Sequence, residues 1–253
     1  MAKNKLKKFA ELAEWHNVFE FPLQEILAGK SSEQKGKWHD FFENNNPIVL
    51  ELGCGRGEYT VELGRKNPNK NFIGIDIKGS RMWTGAKQSQ EEKLQNVAFI
   101  RTNIELIGAF FSPEEVSEIW ITFADPQMKK TRKRLTSERF LSLYQSIMKE
   151  TGKIRLKTDS NFLFTYTKEL AEANNLTINH ILQDIYRECP ENLSELTDIQ
   201  TYYEKQWINR GISIKYIEFL LNKNIKIKEI DDSHIELDTY RSFGREQRSK
   251  LGI

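Results

Sequence analysis

The chain has 253 residues, a length at which one α/β core can bury about three quarters of the unfolded surface without disulfide or metal support. Its 38 lysines and arginines nearly balance 36 aspartates and glutamates, and a net charge of +2 excludes a protein that is basic throughout. No apolar run reaches the length of a membrane span, no secretory signal is recognisable, and Cys54 and Cys189 form no metal-binding pair. We therefore expect a soluble cytoplasmic protein without a metal.

Lysines crowd the first eight positions, at Lys3, Lys5, Lys7 and Lys8. Such a cluster on a nearly neutral protein suggests a local contact with a polyanion. Lysines that only keep the surface solvated are the alternative, and the sequence leaves both open. Residues 1–45 are predicted to form a basic N-terminal extension.

From residue 48 to about residue 185, short apolar runs alternate with amphipathic stretches of helical length. The predicted strands cover residues 48–52, 72–75, 97–100, 118–123, 153–157 and 177–186, and residues 213–220 alternate like a terminal strand. The predicted helices cover residues 58–66, 81–94, 104–111, 137–150 and 162–174, with Ser137 as the cap of the fourth. This order predicts an α/β fold with a mostly parallel central sheet and helices on both faces. The domain is predicted at residues 46–222, followed by a tail at residues 223–253.

The first predicted strand runs into a glycine-rich segment, E-L-G-C-G-R-G. Its glycines let the backbone approach a ligand closely, and the next helix presents free N–H groups. A dinucleotide site needs the spacing G-x-G-x-x-G, whereas this loop has G-x-G-x-G with Glu51 in front of it. A carboxylate suits the sulfonium and ammonium of S-adenosylmethionine better than it suits a pyrophosphate. We predict contacts with this cofactor at Glu51, Gly53 and Gly55, the alternative being a purely structural turn.

Polar side chains end the second and third predicted strands. Asp76 follows the loop by roughly 20 residues, where an acid in such folds accepts the hydroxyls of a ribose. Asn103 stands where an amide can bond the edge of an adenine. Either side chain can instead cap the helix that follows it.

The fourth predicted strand leads to Asp125 at the carboxyl edge of the sheet, and a basic island follows directly. The island puts five cations into six positions, Lys129, Lys130, Arg132, Lys133 and Arg134. This arrangement suggests a nucleic acid whose phosphates are bound beside the reacting atoms, the alternative being solvated cations. Enzymes that methylate amino groups often have an aromatic residue two places after such an acid, to stack an extruded base. Gln127 in that place favours a ring nitrogen such as guanine N7, which carries no proton and needs only alignment.

Further polar residues follow the fifth predicted strand. That strand ends at Asp159, on the same predicted edge as Asp125, and two acids in one cleft can receive the N1–H and amino group of a guanine. Beyond it, Thr201, Tyr202, Tyr203 and Glu204 form a mixed polar and aromatic patch. The residues alone identify this patch only as surface.

In their order, these motifs resemble those of the bacterial tRNA (guanine-N7-)-methyltransferases, from about residue 48 to residue 219. The resemblance implies a Rossmann-like class I S-adenosylmethionine-dependent methyltransferase fold. It implies cofactor contacts at Glu51, Asp76 and Asn103, and a catalytic centre at Asp125, which also touches the cofactor. It implies substrate contacts at Lys129, Asp159, Thr201, Tyr202, Tyr203 and Glu204.

The chain departs from the family pattern around the expected substrate site. Ala124 replaces a proline, Gln127 replaces a tryptophan, and the basic stretch is two residues shorter. Four extra residues separate T-Y-Y-E from Arg210-Gly211. These differences concern the binding of tRNA rather than of the cofactor.

The resemblance implies transfer of a methyl group from S-adenosylmethionine to N7 of a guanine in the variable loop of tRNA, at position 46. A methyltransferase of another RNA or of a small molecule is one alternative, and a non-enzymatic RNA-binding module is another. The expected partner is tRNA, with no membrane and no metal, and a monomer and a homodimer both stay open.

Overall fold

The computed structural model describes residues 2–240, with side chains from residue 5 onward. The strands are β1 (Val18–Phe19), β2 (Ile48–Leu52), β3 (Asn71–Asp76), β4 (Val97–Arg101), β5 (Val116–Thr122), β6 (Met148–Thr158), β7 (Ile178–Leu182) and β8 (Lys215–Asn222). The α-helices are α1 (Ala2–Glu14), α2 (Leu23–Leu27), α3 (Trp38–Phe42), α4 (Glu58–Lys66), α5 (Gly79–Glu91), α6 (Glu138–Gln145), α7 (Asn161–Ala173), α8 (Ile185–Glu188), α9 (Glu195–Asp198) and α10 (Tyr202–Ile208). The end of the predicted tail, residues 241–253, and the side chain of Lys3 lie outside the described residues.

The strands of this region form one sheet in the order β1-β4-β3-β2-β5-β6-β8-β7. Neighbouring strands from β1 through β6 pair in parallel, and β8 runs antiparallel between β6 and β7. The predicted α/β fold with a mostly parallel sheet is therefore confirmed. Because parallel strands share an edge at their carboxyl ends, the residues that follow β2, β3, β4 and β5 lie along one side of the sheet.

Both faces of the central strand β2 are covered. Ile48, Leu50 and Leu52 join one buried apolar cluster, whereas Val49 joins another that contains Tyr59 and Trp120. Successive side chains of a strand point to opposite faces, so this division requires apolar layers on each side. Because apolar layers cover both of its faces, β2 has an apolar residue at every position except Glu51.

Several predicted boundaries are wrong, each for a local reason. The fourth predicted helix ends at Gln145 rather than residue 150, because Met148 already pairs with β5 as the start of β6. Ser137 occupies the N-cap position of that helix, but its side chain makes no capping hydrogen bond. The sixth predicted strand ends at Leu182, because the Asp184 carboxylate accepts from Tyr186 N–H and begins α8. The predicted helix at 104–111 is a 3-10 turn from Ile104 to Ala109.

Segments on both sides of the predicted domain pack against the sheet. Strand β1 extends the sheet beside β4, and Trp83 Nε1 on α5 donates to Glu11 of α1 over 2.5 Å. After β8, Glu229 accepts from the hydroxyl of Tyr166 on α7 over 2.5 Å. The division into extension, domain and tail stays a prediction.

Within residues 2–240, no helix has the length and apolar character needed to cross a bilayer. The same residues contain no cluster of three histidine, cysteine or acidic side chains arranged to hold a metal.

Candidate functional site

The loop between β2 and α4 turns through three glycines in the left-handed region. Gly53, Gly55 and Gly57 have φ values of 75°, 56° and 73°, a backbone conformation that residues with a Cβ adopt only at a cost in free energy. A Cβ on Gly57 would come within 2.7 Å of the ring of Phe99, whereas one on Gly53 would meet no atom within 4 Å. Close packing therefore requires glycine at residue 57, and Gly53 faces open space.

Asp76 at the end of β3 is bonded to this loop. Its Oδ2 accepts from Gly55 N–H over 2.9 Å, and its Oδ1 accepts from Lys78 N–H over 2.7 Å. These two bonds fix the orientation of the carboxylate beside the loop. A ribose hydroxyl can approach the remaining lone pairs of the same oxygens.

Asn103 lies exposed at the start of the 3-10 turn, and its side chain makes no capping hydrogen bond. It lines a cavity of about 380 Å³ at the ends of β3 and β4. Two parts of the chain line this cavity. The segments after β3 and β4 contribute Ile77, Thr102 and Leu106, and the N-terminal segment contributes Phe21, Pro22 and Leu23. The apolar side chains of this slot suit the flat face of an adenine, and the Asn103 amide and the Glu20–Arg101 ion pair offer polar partners for its edge.

Glu51 lies buried beneath the glycine loop. Its Oε2 accepts from the backbone N–H and the hydroxyl of Thr60, and its Oε1 accepts from the hydroxyl of Thr122 over 2.6 Å. Burial raises the pKa of this carboxyl to about 7, although the hydrogen bonds from Thr122 and Thr60 act in the opposite direction. A direct contact between Glu51 and a cofactor stays a prediction.

Asp125 follows β5 in a loop of unusual backbone. Phe123 and Gln127 have φ values of 50° and 47°, a region that non-glycine residues rarely occupy. The Asp125 side chain is exposed, and its Oδ1 accepts from Gln127 N–H over 2.9 Å. Phe123 N–H donates to the carbonyl of Lys157 over 2.9 Å, which ties the start of the loop to β6. The carboxylate is thus exposed while its loop is held in place.

A second cavity, of about 460 Å³, brings the glycine loop and Asp125 together. Four separate parts of the chain line it, and three of them contribute cationic or aromatic side chains. The lining residues are Gly53, Lys78, Arg81, Phe123, Ala124, Asp125, Gln127, Lys133, Leu135, Tyr203 and Trp207. A carboxylate, three cations and three aromatic rings therefore surround one space large enough for a purine.

The basic island divides into a surface part and a buried part. Lys129, Lys130, Arg132 and Lys133 are exposed, as predicted. Arg134 is fully buried, so the prediction of five surface cations is wrong at this residue. Its Nε donates to the carbonyl of Pro126 over 3.1 Å, because the turned loop leaves that carbonyl without a ladder partner.

Asp159 and Asp125 do not share an open cleft. Asp159 is fully buried, and the hydroxyl of Tyr240 donates to its Oδ2 over 2.9 Å. The ammonium of Lys215 donates to the Asp159 carbonyl over 3.1 Å. A substrate contact at Asp159 therefore stays a prediction, and it requires the ring of Tyr240 to move.

The T-Y-Y-E segment separates into two buried and two exposed residues. Thr201 and Glu204 form a capping box at the start of α10, and the Glu204 carboxylate pairs with the buried Lys157 over 2.8 Å. Tyr202 and Tyr203 are exposed, and only Tyr203 is among the residues that line the larger cavity. Thr201 and Glu204 thus hold the helix that presents Tyr203.

Sequence reasoning missed several residues of the larger cavity. Lys78 and Arg81 stand at the start of α5, where the helix dipole favours acidic residues, and these misplaced cations are the signal that could have marked them. Trp207 lies between T-Y-Y-E and Arg210-Gly211, where the chain is four residues longer than the family pattern. The extra length of this segment relative to the family pattern was the signal.

Comparisons with known proteins agree with this geometry. A family model described as a putative methyltransferase matches residues 45–217. The tRNA (guanine-N(7)-)-methyltransferase of Bacteroides fragilis is 55% identical over 99% of this chain and 98% of its own length. The enzyme of the same name from Christiangramia forsetii is 53% identical over 86% of this chain and 98% of its own length.

Among solved structures, the 16S rRNA methyltransferase KamB aligns with a TM-score of 0.57 at 13% identity, over 76% of this chain and 95% of that one. A structure described as an antibiotic-related methyltransferase aligns with a TM-score of 0.56 at 17% identity, over 76% and 95% of the two chains. At these identities the likeness concerns the fold, which is the predicted methyltransferase fold.

Proposed function

The chain belongs to the family of tRNA (guanine-N(7)-)-methyltransferases, and we propose that it transfers the methyl group of S-adenosylmethionine to N7 of a guanine in tRNA. One observation carries the proposal at the level of the site. Gly53 of the cofactor loop and Asp125 of the β5 loop line the same cavity of about 460 Å³. Donor and target base can therefore meet in one space beside exposed cations.

The described residues fit the cofactor. Gly53 leaves room at the loop, Asp76 is oriented toward it, and the slot beside Asn103 suits an adenine. We assign the ribose to Asp76, the adenine edge to Asn103, and the methionine part to the space above Gly53 and Gly55. When bound, S-adenosylmethionine supplies a methyl group made electrophilic by its sulfonium. Glu51 beneath the loop supports its positive charge when ionised.

Asp125 would orient the guanine rather than remove a proton. N7 of guanine carries a lone pair and no hydrogen, so methyl transfer requires no base at that atom. The Asp125 carboxylate, fixed by Gln127 N–H, can accept the N1–H or amino N–H of the base. Methylation leaves a positive charge on the purine, and a carboxylate held beside the ring stabilises that charge as it develops. Correct alignment alone can supply roughly 7–11 kcal/mol.

The exposed cations would bind the phosphates that flank the target base. Lys133 lines the cavity, while Lys129, Lys130 and Arg132 are exposed on the same loop. Neutralising the backbone beside the reacting base would fix the register of the RNA without reading its sequence. We assign the target to position 46 of the variable loop, and the place of action to the cytoplasm.

Methyl transfer to tRNA transcripts tests the proposal directly. The purified protein is incubated with S-adenosylmethionine labelled in its methyl group and an unmodified tRNA transcript with guanine at position 46. A matched transcript carries adenine there. We expect labelled 7-methylguanosine in the first transcript only. No label in either would contradict the proposed activity, and 7-methylguanosine in both would contradict the assigned position.

A further inference from the structure

Two departures from the family pattern meet in the larger cavity. Gln127 takes the place of a tryptophan on the catalytic loop, and it lines the cavity with an amide instead of a ring. Trp207 on α10 lies between T-Y-Y-E and Arg210-Gly211, in the segment that is longer than the family pattern, and it lines the same cavity. Near Asp125 the wall of the cavity therefore has an amide on one element and an indole on another.

The structure holds Trp207 in a defined position. The guanidinium of Arg210 lies over its ring, 4.8 Å from the centroid, and the ring of Tyr240 meets it edge-on at 5.6 Å. Trp207 is half-buried and packs against the same apolar cluster as Phe123, whose backbone begins the Asp125 loop. The ring therefore has an anchored part against the protein and a part exposed to the cavity.

Helix α10 is anchored by groups that do not themselves line the cavity. Lys157 donates to the carbonyls of Leu196 and Ile199 over 2.6 Å and 3.0 Å, and to Glu204 Oε2 over 2.9 Å. The bond to Glu204 fixes the first turn of α10 to β6, one turn before Trp207, and the other two bonds fix the preceding segment. A ring on an anchored helix costs little conformational entropy when a base stacks on it.

We infer that Trp207 is the surface on which the target guanine stacks while Asp125 holds its polar edge. This assignment rests on the proposed function, which supplies the guanine. Every base has a π-face, and stacking on an aromatic ring is favourable wherever an extruded base must be held flat. Stacking fixes the plane of the base, and the Asp125 carboxylate fixes its rotation within that plane. Together they direct N7 to one side of the cavity.

Two substitutions separate stacking from packing. Trp207→Phe keeps an aromatic face, whereas Trp207→Leu keeps an apolar side chain without one. We expect Trp207→Leu to lower kcat/KM for tRNA about 10- to 100-fold, the range that stacking of one base implies, and Trp207→Phe to stay within about 5-fold of wild type. The melting temperature and the Kd for S-adenosylmethionine are measured on both variants, and each quantity should be the same in the two. Wild-type kcat/KM in Trp207→Leu, or equal losses in both variants, would overturn the assignment.

Tryptophan fluorescence supplies a readout that does not depend on turnover. The chain has five tryptophans, and stacking should quench the emission of Trp207 when unmodified tRNA binds. Trp207→Phe should remove that quench, while Trp15→Phe, on the α1 side of the molecule, should retain it. A quench that survives in Trp207→Phe would overturn the stacking role. If wild type formed no 7-methylguanosine but showed the Trp207-dependent quench, the proposed activity would fail and the stacking site would stand.

Discussion

Arg134 Nη1 lies 2.8 Å from Asp232 Oδ2, and this ion pair joins the segment after β8 to the loop that carries Asp125. The same guanidinium donates to the carbonyls of Pro126 and Gln127 and packs 3.9 Å from the ring centre of Tyr166. A residue near the end of the described chain thus supports the backbone that carries the Asp125 carboxylate. We regard Arg134 as a positioning residue.

Arg134→Ala tests this role. Alanine would leave the carbonyl of Pro126 without its donor, which costs about 1–3 kcal/mol, and would remove the ion pair with the partly exposed Asp232. We expect a loss of that order in the free energy of unfolding from urea denaturation. Variants that remain folded should lose kcat rather than affinity for S-adenosylmethionine. Arg139→Ala is the matched control, because Arg139 pairs with Glu105 in solvent, where such a pair contributes below about 1 kcal/mol. Equal losses in the two variants would contradict the positioning role.

Arg134 also shows where sequence reasoning reaches its limit. The alternation of apolar runs and helices predicted the sheet and placed Asp76 and Asp125 at its carboxyl edge, because period and spacing are local properties. Arg134 is buried by its own turned loop together with distant residues, Tyr166 and Asp232, the second almost a hundred residues away. The burial of Asp159 likewise depends on Tyr240. Such pairings arise from the packing of distant segments, and no local pattern encodes them.

Lys129→Ala should weaken tRNA binding more than cofactor binding. Lys129 is exposed on the Asp125 loop, and each single-strand phosphate that the protein no longer neutralises should reduce the slope of log K against log salt by about 0.7. The measurement is a filter-binding titration at several salt concentrations. Lys168→Ala, which removes a partly exposed lysine of α7, serves as the control and should leave the slope unchanged. A larger effect of Lys129→Ala on S-adenosylmethionine than on tRNA would refute the assignment.

The raised pKa of Glu51 predicts that its contribution to the stability of the fold falls as the pH rises. A carboxylate with a lowered pKa has the opposite effect. Its pKa is about 7 in the folded chain and 4.5 as an ordinary glutamate, so the folded state binds the extra proton between these values. The stabilisation of the folded state by this raised pKa is complete below pH 4.5 and is lost as the pH rises through 7. Wild type should therefore lose stability relative to Glu51→Gln between pH 5 and pH 8, by at most roughly 3 kcal/mol. Denaturant titrations across this range measure the difference, and parallel curves would rule it out.

The ionisation of Glu51 should also change the affinity of the protein for its cofactor. S-adenosylmethionine is cationic, so its affinity for wild type should rise with pH through 7 as Glu51 ionises. Calorimetry on Glu51→Gln should show a flatter profile. If both profiles rose equally, the charge of Glu51 would have no part in cofactor binding.

Asp125→Asn should abolish methyl transfer while tRNA affinity stays within a few-fold of wild type. The asparagine keeps an acceptor for Gln127 N–H but loses the charge that stabilises a cationic purine. Single-turnover assays of 7-methylguanosine, with tRNA binding measured in parallel, separate the two effects. Near-normal turnover would remove Asp125 from the mechanism.

Glu204→Gln distinguishes a structural role from direct contact with substrate. Glu204 and Lys157 are both fully buried, and burial lowers the pKa of Lys157 while the Glu204 charge opposes that shift. Glutamine would leave a buried ammonium without its counter-ion, which costs about 3–5 kcal/mol, and would loosen α10. Thermal unfolding should therefore show a large loss, and adding Lys157→Met should recover part of it because the uncompensated charge is then gone. A Glu204→Gln protein as stable as wild type but without turnover would instead place this carboxylate on the substrate.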